Sequence, residues 1–137
     1  MDRRWRWALD AGDALAASIY PFRNDSILGR PVVLPILEIG PLAPNYAHQA
    51  RTARAQGKEF WITELQAEPW TDFDVHLVTP SNPSRNLDHR KLERNFEYAR
   101  RSGAARVYLW GGEWWLYQRD RHGDGSWIEQ ARAVMRD

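Results

Sequence analysis

The sharpest change of pattern along the chain falls between Lys58 and Trp70. Phe60, Trp61 and Ile62 form a short apolar run of aromatic and β-branched residues, and Gly57 breaks the chain just before it. Glu59 to Glu64 is therefore expected to be a short buried strand. Beyond it the pattern becomes strict alternation. If the backbone stays extended, Glu64, Gln66, Glu68 and Trp70 share one face, and Leu65, Ala67 and Pro69 take the other. Two further runs read as strands: Ala14 to Tyr20, built of small residues and closed by Pro21, and Ala105 to Trp110. Each of the three ends in a polar or aromatic residue, namely Tyr20, Glu64 and Trp110.

Between these runs the apolar period changes to that of a helix. Trp5, Ala8 and Leu9 mark Asp2 to Ala11, with Gly12 as the stop; Tyr46, Ala50 and Ala53 mark Asn45 to Gln56, with Pro44 near its start. Leu92, Phe96 and Ala99 mark Asp88 to Ser102, closed by Gly103, and Ser126 with Glu129 reads as a capping box for a last helix. Phe22 to Pro44 and Thr71 to Asn86 read as long loops, a length usually tied to function. Strand, loop, helix, strand is a βαβ unit, so the three strands are expected to run parallel, in sequence order, with helices on one side. A chain that opens inside a helix, without a cap or a preceding strand, suggests a fragment from which upstream units are missing.

Composition narrows the partners. At 137 residues the chain holds at most one domain, able to bury roughly two thirds of its unfolded surface. Its 19 basic and 18 acidic residues nearly cancel, and the arginines are scattered, so neither a nucleic acid nor an anionic membrane is implied. No apolar run is long enough to span a bilayer; the greasiest, Pro31 to Leu42, is interrupted by proline and glycine. Cysteine is absent, which excludes disulfides and thiolate chemistry. Eight tryptophans, with five tyrosines and four phenylalanines, exceed what a core of this size needs.

The alternating stretch supplies the candidate chemistry. Two carboxylates, an amide and an indole facing one way do not make a core; they suit a carbohydrate, whose hydroxyls bond to acids and amides and whose C–H face stacks on an aromatic ring. Asp72, Asp74 and His76 alternate in the following loop, but nothing else in the sequence joins them into a metal site, and no metal or cofactor is expected.

WITELQAEPW after one strand and VYLWGGEWW after the next resemble the last two strands of the (β/α)8-barrel (TIM-barrel) retaining glycoside hydrolases of the cellulase-like clan, and ASIYP then corresponds to the strand before them. The resemblance covers nearly the whole chain but only the final three-eighths of a barrel. It implies an α/β fold, a partial (β/α)8 barrel of three parallel strands with flanking helices, over residues 1–137. It further implies hydrolysis of a β-linked glycan through a covalent glycosyl-enzyme. By the same resemblance Glu64 looks like the nucleophile, Tyr20 like the phenol that holds and orients it, and Trp110 like the platform under the sugar. Gln66, Glu68, Trp70, Glu113 and Trp114 are candidates for the substrate wall by geometry alone. One departure matters: the clan's general acid/base is a Glu, usually after Asn, on an earlier strand, and this chain has no Asn-Glu pair. Glu68 does not replace it on an extended strand, where it would stand about 13 Å from Glu64 at ~3.3 Å per residue, against the ~5–5.5 Å that retaining chemistry needs. The chain alone is expected to be inactive, and its exposed strand edges to favour self-association. A non-catalytic carbohydrate-binding module with a Trp-rich rim is the alternative.

Overall fold

The computed structural model describes residues 3–35 and 44–136. In chain order the elements are α1 (Arg3–Ala11), β1 (Ala14–Ile19), β2 (Phe22–Ile27), β3 (Arg30–Pro35), α2 (Tyr46–Ala55), β4 (Glu59–Gln66), α3 (His89–Arg101), β5 (Arg106–Trp110), α4 (Gly112–His122) and α5 (Ser126–Val134), with a 3-10 turn at Val75–Leu77. β1, β4 and β5 form a three-stranded sheet in that order, and both pairings are parallel. The α/β architecture with a parallel sheet is thus as the βαβ pattern predicts.

The helices cover one face of this sheet. Leu15 and Ile19 of β1 and Phe60, Ile62 and Leu65 of β4 are buried in one cluster with Leu9 of α1, Tyr46, Ala50 and Ala53 of α2, and Ala99 of α3; Val107 and Leu109 of β5 pack at its edge. A satellite cluster of Ala67, Leu87 and Leu92, flanked by Trp115 and Trp127, extends the core beneath α4 and α5. The opposite face carries Ala16 and Ser18, Thr63, and Arg106, Tyr108 and Trp110, all exposed. All-parallel sheets normally have both faces covered, so this open face is the unusual feature of the fold.

β4 does not keep a single alternation. Against β1 its register passes from Ala17↔Ile62 to Ser18↔Glu64, and against β5 from Ile62↔Val107 to Leu65↔Leu109. One extra residue is accommodated at Thr63–Glu64, a bulge facing both neighbours. Thr63 and Glu64 consequently both lie off the core face, and Leu65 returns to it.

Three elements depart from the sequence expectation. Phe22–Pro35, expected as loop, is an antiparallel hairpin in which Ile27 pairs with Arg30 around a two-residue turn, Leu28–Gly29. Both turn residues have positive φ, 52° and 74°, as the twist of a tight hairpin demands. The rest of that expected loop, residues 36–43, lies outside the described residues, as does Asp2, the first residue of the helix expected over Asp2 to Ala11. A further helix, α4, follows β5 at once, and the left-handed Gly123 ends it. Finally, Ser126 is not an N-cap: Gly125 holds that position without a side-chain cap, and the Ser126 hydroxyl instead reaches Asp124 and His89.

Candidate functional site

The carboxyl ends of β1, β4 and β5 gather the polar and aromatic residues. Tyr20 directly follows β1, and its hydroxyl donates to Glu64 Oε2 at 2.7 Å; Ser18 Oγ donates to the same oxygen at 3.2 Å. The bulge makes this possible, because unbroken alternation from Ile62 would send Glu64 under the helices. Two donors therefore pin one carboxylate oxygen, while Oε1 carries no hydrogen bond among the described residues. A carboxylate held in this way has a fixed orientation and one oxygen able to attack.

Beyond Glu64 the face divides. Leu65, Ala67 and Pro69 are fully buried, as the alternation requires. Gln66, on the other parity, is also buried: its Oε1 accepts from the Phe22 backbone N–H at 3.1 Å, and its Nε2 donates to the Glu68 carbonyl at 3.2 Å. It fastens the base of the β2–β3 hairpin to the end of β4. Trp70 packs its ring on Tyr20, centroids 5.0 Å apart and planes inclined at 45°. The Trp70 backbone is held on both sides by Asn86, whose Oδ1 accepts from the Trp70 N–H at 3.2 Å and whose Nδ2 donates to the Trp70 carbonyl.

Trp110, at the end of β5, is 48% exposed. Its indole N–H donates to Glu68 Oε1 at 3.1 Å, and its carbonyl accepts from Ala67 N–H at 2.8 Å. Gly111 follows with φ 127°, and a β-carbon there would lie 2.6 Å from Glu68 Cβ. Only glycine permits this approach of the two strand ends. Burial pushes the Glu68 carboxyl above its ordinary range; the Trp110 bond opposes the shift and the nearby Glu113 charge adds to it. Glu113 itself is exposed, in the first turn of α4.

Tyr20, Glu64 and Trp70 thus make one connected group, and Glu68 with Trp110 makes a second beside it. Trp114 belongs to neither. It is buried on the far side of α4, where its N–H donates to the Val75 carbonyl at 3.3 Å and its ring meets Trp127 edge-on at 4.8 Å. Sequence reasoning overlooked Ser18, Asn86 and Gly111. Ser18 sits in a run of small residues that reads as packing, and Asn86 lies 16 positions from the residue it clamps. The Gly111–Gly112 pair is the one signal legible in the sequence: two consecutive glycines mark a sharp turn, but not what the turn approaches.

Asp74 and His76 pair with each other at 2.9 Å, and the His76 ring lies 4.4 Å from that of Tyr117. Among the described residues, no group of three or more His, Cys, Asp or Glu side chains is placed to hold a metal ion. No helix among them is long and apolar enough to cross a membrane. Compared with family models, with curated proteins and with solved structures, the chain has no match in any of the three.

Proposed function

We propose that this chain forms the last three strand–helix units of a (β/α)8-barrel retaining glycoside hydrolase, with Glu64 as its nucleophile. The observation that carries the reading is the hydrogen bond from Tyr20 to Glu64 at the carboxyl end of the central strand, on the sheet face that no helix covers among the described residues. In a barrel that face is the interior, and the carboxyl ends of the strands carry the chemistry. The order β1-β4-β5, with α1, α2 and α3 packed on one side, suits an arc of such a barrel.

In the proposed reaction the free Glu64 oxygen attacks the anomeric carbon of a β-linked glycan. The C–O bond to the leaving group breaks, and the leaving oxygen takes a proton from a carboxylic acid supplied by another strand. Water then cleaves the glycosyl ester, losing its proton to that same group. Trp70, packed on Tyr20, offers an aromatic face beside the nucleophile, and Trp110, bonded to Glu68, offers another at the end of the neighbouring strand. The second carboxyl group lies outside this chain, so the chain alone binds without turnover.

The test uses a protein in which this chain is joined to the remaining strands. A 2-fluoro glycoside with an activated leaving group should trap the covalent intermediate, and peptide mapping should find the sugar on Glu64. Glu64→Gln should abolish labelling and reduce turnover by several powers of ten. A label on Glu68 or Glu113, or full activity in the Glu64→Gln form, would remove Glu64 from the chemistry.

A further inference from the structure

Past Trp70 the chain encloses a cleft of about 560 Å³, between the β2–β3 hairpin and the 71–86 loop. Phe22 and Val33 contribute from the hairpin, Trp70 and Phe73 from the loop and its root, and Asp72 and Arg85 are its charged lining residues. The volume lies within the range typical of small-molecule sites. A neighbouring basin of about 420 Å³ shares Trp70, Thr71 and Phe73 and reaches Asn24 and Glu68. The two basins thus share one aromatic wall.

The cleft is built before any ligand arrives. Gln66 fixes the root of the hairpin through the Phe22 N–H, and Asn86 fixes Trp70 through both of its backbone polar groups. Walls held in this way spare a ligand the cost of ordering them. Phe73 is 47% exposed, a large ring left open to solvent at the rim. Asp72 and Arg85 engage no side-chain partner among the described residues, so an acceptor and a donor group are both available. Their opposite charges cancel, which favours a neutral polyhydroxylated ligand over a phosphate or a uronate.

Trp70 links this cleft to the nucleophile, because its ring also packs on Tyr20, which holds Glu64. The geometry points to a binding cleft for further units of the same neutral glycan whose reacting unit sits at Glu64. The site then takes an extended β-linked chain of at least a few sugar units, rather than a single terminal sugar. This inference rests on the carbohydrate reading of the Glu64 site.

Titration of the chain with cello-, manno- and xylo-oligosaccharides of increasing length, followed through the indole N–H resonance of Trp70 and the amides of residues 71–86, tests it. Affinity for at least one series should rise about tenfold or more from the monosaccharide to the tetrasaccharide, a difference of about 1.4 kcal/mol per tenfold. Phe73→Ala, at an exposed position that folding does not depend on, should remove most of that gain; Trp70→Ala should remove it entirely. A control at the exposed hairpin tip, Leu28→Ser, should leave it unchanged. Length-independent affinity, no binding of any series, shifts confined to other surfaces, or tighter binding of oligogalacturonates would each overturn the inference. The two readings fail separately. Labelling at Glu64 in the completed protein without binding in this cleft sinks the cleft alone; binding here without a label at Glu64 sinks the catalytic assignment alone.

Discussion

On the helix side of the central sheet, Leu15, Ile19, Phe60, Ile62 and Leu65 are almost wholly buried, and they meet three helices through apolar contacts alone. On the other side the same three strands present Ser18, Thr63, Glu64, Tyr108 and Trp110, with Arg106 lying over the Trp61 ring at 5.1 Å and reaching Glu59 at 3.7 Å. The first face contributes to stability by removing apolar area from water. The second contributes little by burial and keeps polar groups where a ligand can reach them. A single strand therefore answers to two selective demands at once, and residues one position apart should respond to substitution in opposite ways.

The widest gap is expected between adjacent residues of β4. Ile62→Ala removes a fully buried side chain and should cost about 3 kcal/mol, whereas Thr63→Ala on the open face should stay within about 0.5 kcal/mol. Urea denaturation of the two variants reads this directly. Equal losses would mean that the open face is covered and load-sharing in solution, and the contrast between faces would collapse.

Gly111 lies where the faces meet, at the end of β5. A methyl group there would press on Glu68 and force a left-handed φ on a residue with a side chain, so Gly111→Ala should cost about 2 kcal/mol. It should also blue- or red-shift Trp110 fluorescence, since the Glu68–Trp110 bond depends on the same approach. An alanine variant with unchanged stability and emission would show that the strand ends can part freely.

The smallest effect concerns pH. The Glu68 carboxyl is raised in the folded chain, so folding favours its protonated form. That contribution is complete below the ordinary glutamate range and fades as pH rises through the folded value. Glu68→Gln keeps an oxygen to accept from Trp110 and removes the charge. It should flatten the stability profile just above the ordinary range and leave the protein a few tenths of a kcal/mol more stable at neutral pH, the gain being limited by solvent screening. A variant that parallels the parent at every pH would assign no cost to this carboxylate.

What the sequence disclosed follows from where periodicity is strong. The three parallel strands and the helices over Asn45 to Gln56 and Asp88 to Ser102 were legible to within a residue or two, because each buries one clear stripe. The largest departure is β4, which runs two residues beyond the expected Glu64. The hairpin was not legible: its strands are largely exposed, Pro31 and Pro35 argue against a sheet, and Leu28 is an unusual choice for a turn position with positive φ. Nor was α4. Trp114, Trp115, Leu116 and Tyr117 are consecutive, so its apolar residues wrap the helix instead of lying along one side. Of the candidate site, the residues at strand ends could be named in advance because topology alone puts them together. Trp114 could not be told from them, since an indole two positions into a helix and one at a strand end look alike in a string of letters.

The bulge in β4 has a consequence for how such a site can be altered. Before it, even-numbered residues face the helices; after it, odd-numbered ones do. Both neighbouring strands pair across the same surplus residue, so the fault runs through the whole sheet and neither partner can absorb a slip alone. The polarity of the site thus depends on the bulge as well as on the choice of residues. A straight strand of the same length would draw Glu64 in among the leucines and turn Leu65 and Ala67 out to the open face. Loss of one residue at Thr63 would instead remove the surplus: Glu64 would take the place of Thr63 on the open face, and Leu65 and Ala67 would stay against the helices. A shorter strand keeps the two faces without help, and the longer one keeps them only through its bulge.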